Sequence, residues 1–323
     1  MTDRPASDDA VVTEHSPIPI HHSASWLAPA VAGIAYLIYW QVVPRMRTES
    51  MGAVILSTLF SLGLIVWYTA SLARTVKSLR VLILCGFVCG IIVIPLKIML
   101  GKGSVYGPWT YLMRMPGLAD LLFIWLAASF GAALSLLLRS ANMIPPVAAV
   151  LALVDTWTVL LGGPVQRIME STNPVAQAFS QAMTVPIPTP RIGASPFKPT
   201  SFVGFADFVF IAFFVAALCR LINDERAYRK TVRALVVVLC LYMLAVITES
   251  SLRALPALVP MAVVMIGLNW RHFRYERSEA FALLYAAIVV GGIAVGFWYF
   301  GRTNRSEEPR PRADIPYSSF GNS

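Results

Sequence analysis

Two aspartates lie inside stretches of this chain that are apolar enough to enter a lipid bilayer. Asp155 is embedded in VAAVLALVDTWTVLL, and Asp207 in SFVGFADFVFIAFFVAAL. A carboxylate costs at least ~2.5 kcal/mol at bilayer depth, so an acid placed there points to a function and to a partner. Each aspartate is the obvious candidate partner of the other. Two carboxyls that share one proton can work as general acid and general base, which is the chemistry that hydrolyses a peptide bond with water.

The composition indicates a polytopic membrane protein. Of the 323 residues, 57% are hydrophobic and only 13% are charged, whereas a soluble domain carries about 25% charged residues. The net charge is +9, but the 26 Lys and Arg residues are spread over almost every short loop. Membrane proteins anchor to lipid headgroups in this way. Because no basic cluster is interleaved with aromatic residues, we expect no nucleic-acid partner.

The cysteines and histidines do not predict a metal site. All four cysteines fall in apolar runs, where a free thiol behaves as a small hydrophobe. Three of the four histidines lie in the N-terminal tail and the fourth in a basic loop. No pair of these residues has the spacing of zinc ligands together with further ligands nearby. We therefore expect neither a metal nor an organic cofactor.

The hydropathy pattern predicts an all-α fold with about nine transmembrane helices, each near the ~20 residues that span a bilayer. The predicted spans are 25–43, 51–73, 81–100, 118–138, 143–162, 202–221, 231–249, 254–270 and 279–300. Polar tails at 1–24 and 301–323 are predicted to be disordered.

These spans group into an N-terminal part at 25–138, a core at 143–270 that holds both acids, and an extra helix at 279–300. The core includes a Pro-rich loop at 163–201, and a loop of this length in a compact domain is usually functional or mobile.

Counting membrane crossings places the two acids in one leaflet. The 163–201 loop joins the fifth span to the sixth, so Asp155 lies about 10 Å and Asp207 about 8 Å from the same membrane face at 1.5 Å per residue. The eighth span begins on that face as well, with the sequence LRALPALVP. The acids and a proline-containing helix start are therefore expected at matching depth.

Three short motifs follow one another in the core: Val154-Asp155, Gly204-Phe205-Ala206-Asp207 and Pro256-Ala257-Leu258. In this order they resemble the motifs of the intramembrane aspartyl proteases of the presenilin and signal peptide peptidase family. That family carries Tyr-Asp in one helix, Gly-x-Gly-Asp in the next, and Pro-Ala-Leu two helices later.

The sequence around the motifs is most similar to that of presenilin. After Asp155, the residues Gly163, Pro164, Arg167 and Glu170 fall at nearly the same offsets as in presenilin. The segment ALPAL that ends at Leu258 is identical to the presenilin segment. The resemblance covers residues 143–270.

Two departures from the family pattern fall beside the acids. Val154 replaces a tyrosine and so removes a hydroxyl, while Ala206 replaces a glycine and adds a methyl group where helices approach closely. Both departures bear on rate and substrate preference.

The resemblance implies hydrolysis of peptide bonds within transmembrane segments, with Asp155 and Asp207 as the catalytic pair. One carboxylate would activate water while the other, protonated, would donate to the developing oxyanion. The family places Gly204, Phe205 and Ala206, together with Pro256, Ala257 and Leu258, beside the pair as supporting residues. The partners would be transmembrane protein or peptide substrates in the lipid bilayer, and the need for accessory subunits is left open.

Two other functions fit intramembrane acids. A transporter or channel could use them for proton or cation coupling, and a member of the same family could retain the fold without cleaving. Asp120, in the look-alike GLADLLFIWLAASF, is interpreted as interfacial rather than as part of the site. The Lys and Arg counts of the loops on the two sides tie, so the positive-inside rule leaves the orientation open.

Overall fold

The protein is mostly helical, and its described residues include five helices that are long and apolar enough to cross a membrane. A computed structural model describes residues 26–75, 116–160, 182–192, 202–248 and 256–275, together with residue 173 and single positions between 86 and 92 and between 281 and 296. The five apolar helices agree with the prediction from composition that this is an integral membrane protein. The predicted third and ninth spans, both tails and most of the Pro-rich loop lie largely outside the described residues.

Seven helices are described in chain order. They are α1 (Leu27–Val42), α2 (Met51–Thr75), α3 (Pro116–Ser135), α4 (Ile144–Leu160), α5 (Phe205–Leu221), α6 (Glu225–Thr248) and α7 (Leu258–Asn269). All except α4 and α7, which have 17 and 12 described residues, belong to the five helices that could cross a membrane.

Helices α3 and α5 form the most extensive contact in the described bundle, and they run parallel. The rings of Phe123 and Phe205 pack near the start of both helices, with centroids 5.2 Å apart. At the far end, the guanidinium of Arg220 donates to the carbonyls of Ser135 and Leu138, which lie at the end of α3 and just beyond it. In the middle, a Cβ at Gly131 would overlap the carbonyl oxygen of Val209, so only glycine permits this approach.

Helix α7 packs antiparallel against both α4 and α6. Asn142, just before α4, exchanges hydrogen bonds with the backbone of Arg274, just after α7. At the same end, the Asn269 amide donates to the Thr231 hydroxyl, 3.0 Å away, in the second turn of α6. These contacts bring the start of α7 to the end of the bundle where α4 and α6 finish.

Four short strands interrupt the helical pattern, and the all-α prediction omitted them. Strands β1 (Arg47–Thr48) and β3 (Arg191–Ile192) pair in parallel, while β2 (Thr184–Pro186) and β4 (Phe202–Gly204) pair in antiparallel register. The sixth span was predicted to be helical from residue 202, but residues 202–204 are extended because they pair with β2. Both strand pairs lie at the end of the bundle where α5 and α7 begin.

The opposite end of the bundle is basic. Arg74 at the end of α2 forms an ion pair with Glu225 at the start of α6, with 2.7 Å between nitrogen and oxygen. Its guanidinium also lies over the ring of Tyr228, 4.7 Å from the centroid. Other cations at this end are Arg139, Arg220, Arg226, Arg229, Lys230, Arg233, Arg271 and Arg274.

Candidate functional site

Asp207 is held in the first turn of α5 by the start of its own helix. Gly204 precedes the helix in an extended conformation, with φ −75° and ψ 156°, because it ends strand β4. Its backbone N–H donates to Oδ2 of Asp207 over 3.1 Å. A carboxylate at this position satisfies one of the unpaired N–H groups of a helix start and interacts favourably with the helix dipole.

Asp155 is held by a different helix. Its Oδ2 accepts a hydrogen bond from the backbone N–H of Leu258, 2.9 Å away. Leu258 is the first residue of α7, where a backbone N–H has no partner within its helix. Pro256 and Ala257 come directly before it, so the proline fixes where α7 can begin.

The two acids come from separate helices and lie close enough for their charges to interact. Asp155 is in the last part of α4 and Asp207 in the first turn of α5, and both side chains are partly buried. The count of crossings predicted that the two aspartates lie at one depth, and their interacting charges show that they are also close to each other within the bundle. A pair of neighbouring carboxyls holds one proton more readily than none or two.

The supporting residues named from the sequence fall around this pair in different ways. Gly204 and Leu258 each donate a backbone hydrogen bond to one acid, and Ala257 lines a cavity beside Asp207. Pro256 is buried, and the Phe205 ring packs against α3.

The two departures from the family pattern both lie on exposed positions. Val154 is 47% exposed, and Ala206 is exposed as well. The methyl group that Ala206 adds is therefore not wedged into a helix contact among the described residues.

A cavity of about 160 Å³ adjoins Asp207. It lies between helices α2, α5, α6 and α7 and strand β4. Its lining is apolar apart from Asp207 and Tyr242, and comprises Leu62, Val66, Phe202, Val203, Asp207, Phe208, Ile211, Leu239, Tyr242, Met243, Val246, Ala257 and Met261. Water or an apolar side chain could occupy this space next to the carboxyl.

Sequence reasoning did not single out the contributions of α2 and α6 to this cavity. Tyr242 of α6 interacts electrostatically with both Asp155 and Asp207. It is the one hydroxyl-bearing side chain in the apolar run 234–247, and a tyrosine in such a run usually has a polar partner for its hydroxyl. That isolated hydroxyl was the available signal.

Asp120 does not join the pair. Its side chain is 4% exposed, so it is enclosed by protein rather than exposed at the headgroup level. Its charge acts on Tyr36 of α1, whose side chain is fully buried.

Within the described ranges, no three His, Cys, Asp or Glu side chains are grouped so that they could hold a metal ion. Comparison of the chain with models of protein families, with curated proteins and with solved structures gives no match in any of the three.

Proposed function

We propose that the protein is an intramembrane aspartyl endopeptidase that hydrolyses peptide bonds within transmembrane segments. The observation that carries the proposal is the pairing of Asp155 and Asp207 at one end of a membrane-type bundle, with interacting charges and a cavity beside one of them. The order of the motifs supports the same function, because all three meet at this pair through the hydrogen bonds from Gly204 and Leu258.

The proposed reaction needs only the two carboxyls and water. One carboxylate takes a proton from water, whose oxygen bonds to the carbonyl carbon, while the protonated partner gives its proton to the carbonyl oxygen. The C–N bond then breaks as the leaving nitrogen takes the proton that the first carboxylate had removed from water. A hydroxyl of the tetrahedral intermediate returns its proton to the second carboxylate as the new C=O forms, which restores the singly protonated pair. Neither metal nor organic cofactor takes part.

The two backbone hydrogen bonds suit this chemistry. Each occupies Oδ2 of one aspartate, which fixes the carboxyl and, within the described part of the chain, leaves Oδ1 available for water or substrate. Because the donors are backbone amides at helix starts, their positions depend little on side-chain motion. Such fixed donors reduce the reorganisation needed during the reaction.

The strand pair before Asp207 suits an extended substrate. Within the described part of the chain, β2 and β4 pair only with each other, so the sheet has edges to which a further strand could add. An extended peptide can pair with such an edge through its backbone. A transmembrane substrate would have to unwind locally to do so, because a helical amide is shielded by its own turn.

The test is cleavage of a generic transmembrane peptide by the purified protein in lipid vesicles, with Asp155→Asn and Asp207→Asn alongside. We expect cleavage within the apolar segment of the peptide, lost in both variants, and a rate that falls on both sides of an optimal pH because one proton must be shared. Folded wild-type protein that cleaves none of several peptides would overturn the proposal. Proton-coupled flux that depends on one acid only would instead identify a transporter.

A further inference from the structure

Tyr242 lies on the face of α6 that forms one wall of the cavity. Leu239, Met243 and Val246 share that wall, at the spacing of one helix face. Leu239 and Met243 are buried, whereas Tyr242 is partly buried. The phenol ring thus extends the apolar wall, and its hydroxyl is the polar group that α6 brings to the cavity.

Tyr242 is one of two polar side chains that line the cavity. Among the residues that line the cavity, Asp207 is the other polar side chain, and the charge of Asp155 also reaches the tyrosine.

The size of the cavity allows water between these groups. At about 160 Å³ it has room for several water molecules, each of which needs two or more polar partners to be held. The Asp207 carboxyl and the Tyr242 hydroxyl supply such partners from two different helices. A water molecule between them would be oriented by both.

We propose that Tyr242 is a positioning residue of the acid pair, whose hydroxyl orients the water held in the cavity beside Asp207. The role of Tyr242 in the reaction rests on the proposed protease function. The contact between its hydroxyl, the water and the carboxyl does not. The tyrosine takes no covalent part. It restricts the water to positions from which a carboxylate can remove its proton.

The kinetic test compares Tyr242→Phe with a matched removal of a hydroxyl elsewhere. Tyr39 of α1 donates to the carbonyl of Ser57 over 2.8 Å and does not line the cavity, so Tyr39→Phe is the control. We expect Tyr242→Phe to lower kcat about tenfold, the effect of one lost hydrogen bond, with KM unchanged and the pH–rate profile displaced. A wild-type kcat and pH profile in Tyr242→Phe would overturn the proposal.

An infrared measurement tests whether the Tyr242 hydroxyl contacts the carboxyl through water, and it does so whether or not the protein cleaves peptides. Difference spectra between acidic and neutral pH, recorded in lipid, contain the C=O stretch of a protonated carboxyl, and Asp155→Asn and Asp207→Asn assign it. Tyr242→Phe should move this band to higher wavenumber, because a carboxyl in a weakened hydrogen-bond network has a stiffer C=O bond. Tyr39→Phe should leave it in place.

The two measurements separate the two proposals. A band shift in a protein that cleaves nothing would support the placement of Tyr242 and overturn the protease function. An unshifted band in Tyr242→Phe would overturn the placement, even in an active protease.

Discussion

Helices α3 and α5 begin with nearly the same sequence, run parallel and pack against each other, yet their aspartates have different surroundings. Gly117-Leu118-Ala119-Asp120 opens α3, and Gly204-Phe205-Ala206-Asp207 opens α5. Asp207 interacts with Asp155 and borders the cavity. Asp120 is enclosed beside Tyr36.

The difference arises from what precedes each helix and what packs on it. Strand β4 leads into α5 in an extended conformation, so the backbone N–H of Gly204 can donate a hydrogen bond to the Asp207 carboxylate. At Gly117, by contrast, Trp40 of α1 packs directly on the glycine, with 3.0 Å between the ring and an added Cβ. A Gly-x-x-Asp sequence therefore does not define a site by itself; the neighbouring elements do.

The largest expected effect is the contrast between the two acids under the same substitution. Asp207→Asn, like Asp155→Asn, should lower the cleavage rate by at least about 100-fold, the usual contribution of a general acid or base. Asp120→Asn should leave the rate near that of the wild type, because its charge acts on Tyr36 instead. A rate lost equally in Asp120→Asn and Asp207→Asn, with folding intact by circular dichroism, would contradict the distinction.

The next largest effect concerns the glycine that lets α3 and α5 approach. Gly131→Ala should lower the free energy of unfolding by about 3 kcal/mol, since the new methyl group meets backbone that cannot move aside. The measurement is unfolding in detergent micelles followed by circular dichroism.

Gly267→Ala in α7 is the matched control, because nothing lies within 4 Å of an added Cβ there. It should raise the free energy of unfolding by about 0.5–1 kcal/mol through helix propensity. Equal stability of the two variants would show that α3 and α5 do not approach as closely as described.

A smaller effect is expected where Asp155 depends on the start of α7. Pro256→Ala would permit α7 to begin earlier, and Leu258 N–H would then bond within its helix rather than to Asp155. We expect kcat to fall about tenfold, the equivalent of one hydrogen bond.

Pro260→Ala serves as the control, since Pro260 lies in the first turn of the same α7 and has no N–H with which to contact Asp155. It should leave kcat unchanged. A fall in both variants would mean that α7 is sensitive to any proline change, and not that Leu258 N–H positions Asp155.

The smallest effects separate the two look-alike helix starts. Gly117→Ala should lower the free energy of unfolding by about 1 kcal/mol, because Trp40 must give way. Gly204→Ala should change it little: φ is −75°, and the nearest atom to an added Cβ is Oδ2 of Asp207 at 3.5 Å, which is ordinary contact. Thermal unfolding measures the stability of both variants. A larger loss in Gly204→Ala than in Gly117→Ala would contradict the two environments described.

Hydropathy predicted the helical, membrane-type character of the bundle, in which five described helices are long and apolar enough to cross a membrane. The second span was expected at 51–73 and is observed at Met51–Thr75, because a long apolar run has one stable form in a membrane. The seventh was expected to begin at 231 but begins at Glu225. Its first turns carry the charged sequence ERAYRK, whose long side chains can reach headgroups while the backbone stays helical.

What the sequence could not supply are contacts between distant residues. Strand β4 was assigned to a helix because its pairing with Thr184–Pro186 depends on residues about twenty positions away. The bond from Leu258 N–H to Asp155 joins residues 103 positions apart. Tyr242 was overlooked because its spacing fits an ordinary apolar helix face.

The basic end of the bundle has a consequence for the proposed reaction. Among the described residues, that end carries most of the cations, while the end with the acids has Arg45, Arg47 and Arg191. Lys and Arg side chains anchor a bundle at the lipid headgroups, so we expect this end to lie at one membrane–water interface. Water for the proposed hydrolysis would then enter from the opposite interface, near the acids, and the shorter fragment of a cleaved substrate would leave on that same side.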